Sequence, residues 1–544
     1  MKTQNWQLDG EFVSPGGWLY HRRMGTETFS DFLTLLDREG ELARVGAAVD
    51  PKLEIAAICD RMCKTPAPHG HSEPDKSAAA ALGGKALLFQ NVRGSDIPVA
   101  INTFGSYWRI NQALGSRSLS ELAARVSALV KPEIPTTLME KMKKLPDLLK
   151  LGSFPPKSVR SGICQQVVME GEKADLNRLP LIQCWPLDGN VESGQVIDHA
   201  DAAKVAAGPR GTGRYITLGG IFTRDPETGD RNIGMYRVQQ FSPRKCAMHW
   251  HMHHDGARHF RKYAARGEKM PLAIVLGGES VLPYAATAPL PPGIEELIFA
   301  GFLNDGGIEL VPCKTIPLEV PANAEIVIEG FVDPNEKLLE GPFGDHTGFY
   351  SLADFYPVFD VTAITHRKDP IYPTTIVGKP PMEDYFMGKA TERIFLPLLQ
   401  TIIPDIVDYN LPISGVFHNC AFIKIRKEYP MQARRVMHAV WGAGQMSFTK
   451  FIIVVDEKVD VHNEQDVLFH LFSNCDPERD AEISHGPVDI LDHASPEHGT
   501  GSKIGFDATE KWAGEGKVRR WPMELEMDRK TIELVTKRWA EYGL

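Results

Sequence analysis

The chain has 544 residues, 43% of them hydrophobic and 24% charged, a balance that excludes a disordered tail or a fibre. At roughly 150 residues per domain it is too long for one ordinary core, and about two to four domains are expected. Sixty Lys and Arg against 70 Asp and Glu leave a net charge of -10, which repels nucleic acid and anionic lipid, so an acidic ligand needs a locally basic pocket.

The opening MKTQNWQLDG has no apolar stretch and does not read as a secretory signal. Phe29, Phe32, Leu33 and Leu36 fall at helical spacing behind Thr28, which predicts an amphipathic helix with a Thr N-cap. From Pro66 to Lys85 an Ala-, Lys- and Gly-rich stretch predicts an exposed loop before the strand KALLFQNV. A polar, helix-prone segment from about Ser118 to Leu151 ends at the breaker run GSFPPKS, where a domain boundary is placed. Short β-rich runs follow, the clearest being GRYITLGGIFTRDPETGDRNIGMYRVQQF, a hairpin with its turn at Asp225 to Asp230.

The apolar runs Pro271 to Leu276 and Phe451 to Val455 are far shorter than the roughly 20 residues that span a bilayer, and both predict buried strands. Beyond Tyr350, FDVTAITHR and TKFIIVVDE alternate with helical runs, predicting an α/β third domain from residue 351. Ile532, Val535, Trp539 and Tyr542 form a stripe behind Asp528, read as a packing surface in the core or against another subunit. The eight cysteines, with only Cys59 and Cys63 close together, make neither a CxxC pair nor a disulfide framework, and imply free thiols in a reducing compartment, the cytoplasm.

Four clusters could carry chemistry. In Glu340-Gly-Pro-Phe-Gly-Asp345-His346-Thr-Gly348, two carboxyl groups sit among glycines and a proline, so they belong to a shaped loop and not a helix. A carboxyl pair in unlike environments suits acid/base work; the plain alternative is a turn with two solvated acids. On the return strand of the hairpin, Asn232 and Arg237 would lie roughly 16 Å apart on opposite faces unless a bulge intervenes, fit for two ends of an elongated cofactor or simply a turn Asn and a surface Arg. Met248-His-Trp-His-Met-His-His254-Asp, followed by His259, holds imidazoles for a transition metal or for the wall of a pocket, without an HExxH pattern. Glu295 and Glu296 open an apolar run, where acids commonly serve as helix-dipole partners.

Taken together, NIGMYR, EGPFGDHTGFY, VPANAEIVIEGFV and ASPEHGTGSKIGFDATEKW resemble, in order, segments of the UbiD family, with the likeness running from about Phe29 to the C-terminus. The resemblance implies an α/β (α+β) chain of three domains: an N-terminal α/β domain over residues 1–155, a split β-barrel that binds prenylated FMN over 156–350, and a C-terminal α/β oligomerisation domain over 351–544. It implies Asn232 and Glu296 as ligands of a divalent ion, usually Mn2+, beside a K+, with His253 as third ligand and His259 as runner-up. Hard cations suit such oxygen donors. It implies Met235, Tyr236, Arg237, Trp250 and His254 as flavin contacts, and Arg237, Glu340 and Asp345 as a catalytic network.

The implied reaction is reversible non-oxidative decarboxylation of an aromatic acid, phenolic or otherwise; an aryl-CoA thioester such as phthaloyl-CoA or a heteroaromatic acid are alternatives. Loss of carbon dioxide from an sp2 carbon leaves an electron pair that side chains cannot accept, so a cofactor is required. In this scheme water exclusion raises the pKa of Asp345 and keeps a proton on it. His418 and His485 are candidates for contact with a ring hydroxyl. A flavin prenyltransferase would supply the cofactor, and a dimer or hexamer is the expected assembly. From other classes, a non-catalytic flavin-binding subunit and a zinc hydrolase built on HWHMHH stand as alternatives.

Overall fold

The structure is a computed structural model and describes residues 25–130, 151–198, 200–251, 254–290, 293–516 and 519–543. It opens on α1 (Phe29–Arg38), where the Thr28 hydroxyl accepts from the Asp31 N–H at 3.0 Å and the four apolar stripe residues are buried. Two parallel strands, β1 (Leu42–Val49) and β2 (Ala86–Val92), and the antiparallel β3 (Val99–Ile101) form the N-terminal sheet. The stretch from Pro66 to Lys85 is less exposed than its composition implied. Ala79 and Ala80 are buried, and so are Glu73 and Asp75, whose carboxylates accept from the Asn111 amide and the Tyr107 hydroxyl. α2 (Leu119–Val130) takes up the start of the helix-prone segment; the remainder of that segment lies mostly outside the described residues.

The middle of the chain is one nine-stranded antiparallel sheet. Its strands are β4 (Val167–Glu170), β5 (Tyr215–Ile216), β6 (Gly220–Arg224), β7 (Arg231–Met235), β8 (Val238–Ser242), β9 (Lys245–Met248), β10 (Met270–Leu276), β11 (Ile326–Glu340) and β12 (Asp354–His366). They run in the order β5-β8-β9-β12-β11-β10-β6-β7, with β4 beside β12. The predicted hairpin is β6 and β7, closed at Asp225 and Asp230. Every residue of β10 is buried, as a continuous apolar run requires. Two register shifts between β11 and β12 give these long strands the bends that curl the sheet into a half-barrel. The strand FDVTAITHR, placed in the third domain because the runs beyond Tyr350 alternate with helical ones, is part of β12, so the middle sheet extends past residue 350. The order of strands and helices along the chain says nothing of which sheet a strand joins. The next strand, β13 (Tyr372–Thr374), returns to pair with β3, tying middle and N-terminal parts together.

The C-terminal part is α/β, as expected. Its sheet takes β14 (Ile406–Asn410), β15 (Cys420–Ile425), β16 (Phe451–Asp456), β17 (Ala481–Pro487) and β18 (Thr500–Asp507) in the order β14-β15-β16-β18-β17. The three central strands are parallel. The last helix, Arg529–Arg538, has the expected Asp528 cap, but Ile532, Trp539 and Tyr542 are about half exposed in the single chain, so the stripe is not core. All eight cysteines are free.

Candidate active site

Asn232 and Arg237 do not share one strand. β7 stops at Met235 and β8 starts at Val238 against different neighbours, so the chain breaks direction at Tyr236 and Arg237. A glycine makes the break possible: a Cβ on Gly234 would lie 2.2 Å from the Tyr236 ring, which folds back over it. Tyr236 thereby meets His254 at 4.7 Å between ring centres and stands edge-on to Trp250 at 6.4 Å. Three of the expected flavin-contacting side chains are brought into one cluster, while Met235 is tied by its N–H to the Ala286 carbonyl at 3.1 Å.

The break aims the Arg237 guanidinium into the loop that follows β11. Glu340 ends that strand and accepts from Nε at 2.8 Å and from one terminal nitrogen at 3.0 Å, while Asp345 accepts from the other at 2.5 Å. Between them the loop lays the Phe343 ring 4.6 Å from the guanidinium carbon. Arg237, Glu340 and Asp345 are 8%, 0% and 9% exposed, so three charges sit out of water and are mutually satisfied. The loop is held from behind by Asp188, whose carboxylate accepts from the N–H groups of Gly344, Trp185 and Cys184. Only glycine fits at 344, since a Cβ there would lie 2.1 Å from the Trp185 ring.

Burial opposes charge on both acids, yet Arg237 and His249 hold Glu340 down at about 2, and His346 and Arg237 hold Asp345 well below the carboxylate range. The expectation that Asp345 keeps a proton is therefore reversed. Water is excluded, but three donors on its carboxylate outweigh desolvation: Arg237, the His346 N–H at 2.9 Å and the His346 ring at 3.0 Å.

Imidazoles extend the network on both sides. His249 Nδ1 lies 2.8 Å from Glu340 and its Nε2 lies 3.0 Å from His251; burial pushes both rings below the ordinary histidine value. His346 Nε2 lies 2.7 Å from His418 Nε2. Burial opposes charge on His346 too, but its contact with Asp345 raises it, while burial and the nearby His346 lower His418 to about 4. His418 thus joins the site through His346. His485 is exposed and its ring meets Ser502 at 3.1 Å, with no bond to this network among the described residues.

At the other end, Asn232 is buried with no acceptor for its amide nitrogen among the described residues, and Glu296, the first residue of the helix Glu296–Leu303, accepts from the Ile233 N–H at 3.0 Å. Burial raises Glu296 to about 7, and it forms no ion pair among the described residues. A desolvated carboxylate beside an orphaned amide is a setting that a divalent cation would satisfy. His253 lies outside the described residues. His259 is buried, with Nδ1 at 3.0 Å from Thr223, the cross-strand partner of Asn232. A narrow apolar crevice lined by Leu218, Phe222, Ile233, Val275 and Leu282 adjoins β7, and the buried Trp250 Nε1 has no acceptor among the described residues. The described residues contain no group of three His, Cys, Asp or Glu placed to hold a metal; of the imidazoles of HWHMHH, His249 meets Glu340 and His254 meets the Tyr236 ring.

His249, His346, Phe343 and Asp188 escaped the sequence reading. His346 stood beside Asp345 in a motif already singled out, and His249 inside the histidine run; Asp188 carried no signal, because its hold on the loop is a single N–H, that of Gly344, 156 residues away.

Models of the three UbiD domains match the chain along most of its length. That of the 3-octaprenyl-4-hydroxybenzoate carboxy-lyase N-terminal domain matches residues 33–129, that of the Rift-related domain residues 157–380, and that of the C-terminal domain residues 385–508. An uncharacterised protein of Aquifex aeolicus is 46% identical over 94% of this chain and 98% of its own. Among solved structures, the UbiD-class enzyme HmfF of Pelotomaculum thermopropionicum in complex with FMN is 26% identical, with a TM-score of 0.70 over 91% of this chain and 97% of that one. An evolved dimeric form of HmfF is in complex with prFMN, at 25% identity and a TM-score of 0.69 over 92% and 97%. The vanillic acid decarboxylase of Sedimentibacter hydroxybenzoicus, at 24% identity, shares the fold with a TM-score of 0.76 over 95% and 99%. The chain belongs to the UbiD family of carboxy-lyases.

Proposed function

We propose that this chain is a reversible, non-oxidative decarboxylase of an aromatic carboxylic acid that works with prenylated FMN. The observation that carries the proposal is a buried arginine gripped by two carboxylates and linked through His249 and His251 to the aromatic cluster of Tyr236, His254 and Trp250. Arg237 spends three of its five N–H groups on Glu340 and Asp345, which leaves two to hold a substrate carboxylate in a fork. Glu340 fixes the guanidinium plane. Asp345, ionised at rest, takes up a proton and hands it to the ring carbon as carbon dioxide leaves, and accepts it back in carboxylation. When bound, prenylated FMN supplies the electron sink that side chains lack. Met235, Tyr236, Trp250 and His254 would hold it, with its phosphate clamped by Mn2+ on Asn232, Glu296 and either His253 or His259, beside K+.

The proposed substrate is a phenolic or related aryl acid; a heteroaromatic acid or an aryl-CoA thioester such as phthaloyl-CoA would use the same fork. A flavin prenyltransferase is the proposed supplier of cofactor, a homo-oligomer the proposed assembly and the cytoplasm the proposed location. The charge of -10 disfavours nucleic acid, and among the described residues no helix is long and apolar enough to cross a membrane. A non-catalytic flavin carrier would have no use for a desolvated Arg-Glu-Asp group that is costly to bury. The test is to produce the chain together with a flavin prenyltransferase, identify the bound flavin by absorbance and mass, and screen aromatic acids for carbon dioxide release. A flavin-loaded chain that releases none from any class would count against the reading.

A further inference from the structure

We infer that His346 and His418 form a proton line that feeds Asp345 from the C-terminal part of the molecule, an inference that rests on the role proposed above for Asp345. The line is continuous: Asp345 Oδ1 to His346 Nδ1 at 3.0 Å, then His346 Nε2 to His418 Nε2 at 2.7 Å. His346 sits in the loop after β11, and His418 in the turn before β15, so the middle contact is made only where these two parts of the chain are docked. Phe417 stacks on His346 at 5.5 Å and holds the ring plane.

The outer end is His418 Nδ1, buried and without a partner among the described residues, whereas every other ring nitrogen of the line is bonded. A proton accepted at that Nδ1 lets the Nε2 proton of His418 pass to His346 Nε2, and the Nδ1 proton of His346 pass to Asp345, which then gives it to carbon. One proton enters and one leaves, no electrons move, and each imidazole ends in the other tautomer; the reverse passage in carboxylation restores it.

The surroundings make the two rings unequal. Asp345, Asp384 and Asp489 act on His346, and His346, Asp489, Asp345 and Asp492 act on His418. Burial and the nearby His346 keep His418 low while the contact with Asp345 raises His346, so of the two rings the inner one is the more readily charged as the proton passes toward Asp345.

The experiment is an NMR pH titration of the full chain without flavin, labelled at histidine Cε1, with the two signals assigned by their loss in His346→Gln and His418→Gln. The expected result is a His346 midpoint above the ordinary histidine value, an inflection of the His418 signal at that same pH, and a fall of the His346 midpoint by about one to three pH units in Asp345→Asn. A His346 midpoint at the ordinary value, or a His418 signal that titrates independently of it, overturns the inference. The coupling in the wild-type chain decides by itself should Asp345→Asn not fold. Neither flavin nor substrate is involved, so the line can fail while decarboxylation stands, and the reverse.

Discussion

Replacing Arg237 by Met keeps a comparable side-chain stem and removes the one cation shared by Glu340 and Asp345. Stripping the partner from a buried ion pair typically costs about 3–5 kcal/mol. The structure gives a second route to the size: Glu340, fully buried, is moved from the ordinary glutamate value of 4.5 to about 2, which corresponds to roughly 3 kcal/mol in favour of the folded state at neutral pH. In the wild type, a depressed carboxylate contributes stability above its unfolded value of 4.5 and loses it as pH falls toward 2. In the variant His249 and His346 still oppose burial, so the carboxyls stay less depressed than in the wild type and the stability lost is the part that Arg237 supplied. That part is present in full above the unfolded value of 4.5 and vanishes as pH falls below it. Thermal unfolding of both proteins between about pH 3 and 8 reads it: the deficit of the variant should be level above about pH 5 and shrink below it. A deficit that persists undiminished to the acid end, or grows on acidification, refutes the electrostatic account of the site.

Asp345→Asn should abolish turnover while the flavin stays bound, as read by carbon dioxide release and flavin absorbance on one sample. Gly344→Ala forces a Cβ to 2.1 Å from Trp185 and should cost about 1–3 kcal/mol by overpacking, with a fall in kcat from the displaced Asp345; unfolding and steady-state rates check the two effects. Glu296→Gln should weaken Mn2+ binding by about tenfold or more, measured by calorimetry on the flavin-loaded chain, and an unchanged affinity would remove Glu296 from the ligand set.

Residue patterns carried the local elements well, because helix caps and apolar spacing are local physics: Thr28 and its four apolar partners, the hairpin closing at Asp225, and the buried run of β10 are all in place. Membership of a sheet was not legible. FDVTAITHR alternates as any half-buried strand does, and only its long-range pairing with β11 assigns it to the half-barrel. Arg237, Glu340 and Asp345 were legible as a set through motif likeness, yet the spacing argument put Asn232 and Arg237 on one strand, because the fold-back of Tyr236 over Gly234 depends on which strands each half finds as neighbours. The state of Asp345 was misread for a related reason. Its three donors come from two residues, Arg237 on another strand and the adjacent His346, and burial alone gives the wrong direction.

The central claim is that Arg237, clamped by Glu340 and Asp345, holds an acid against a bound modified flavin. The direct measurement is carbon dioxide release from 3,4-dihydroxybenzoate, 4-hydroxybenzoate, furoate and phthaloyl-CoA by wild-type chain and Arg237→Met, each produced with a flavin prenyltransferase and matched for flavin content. Release from at least one acid by the wild type, and none by the variant, is the predicted result; equal release from both at equal flavin occupancy would contradict it.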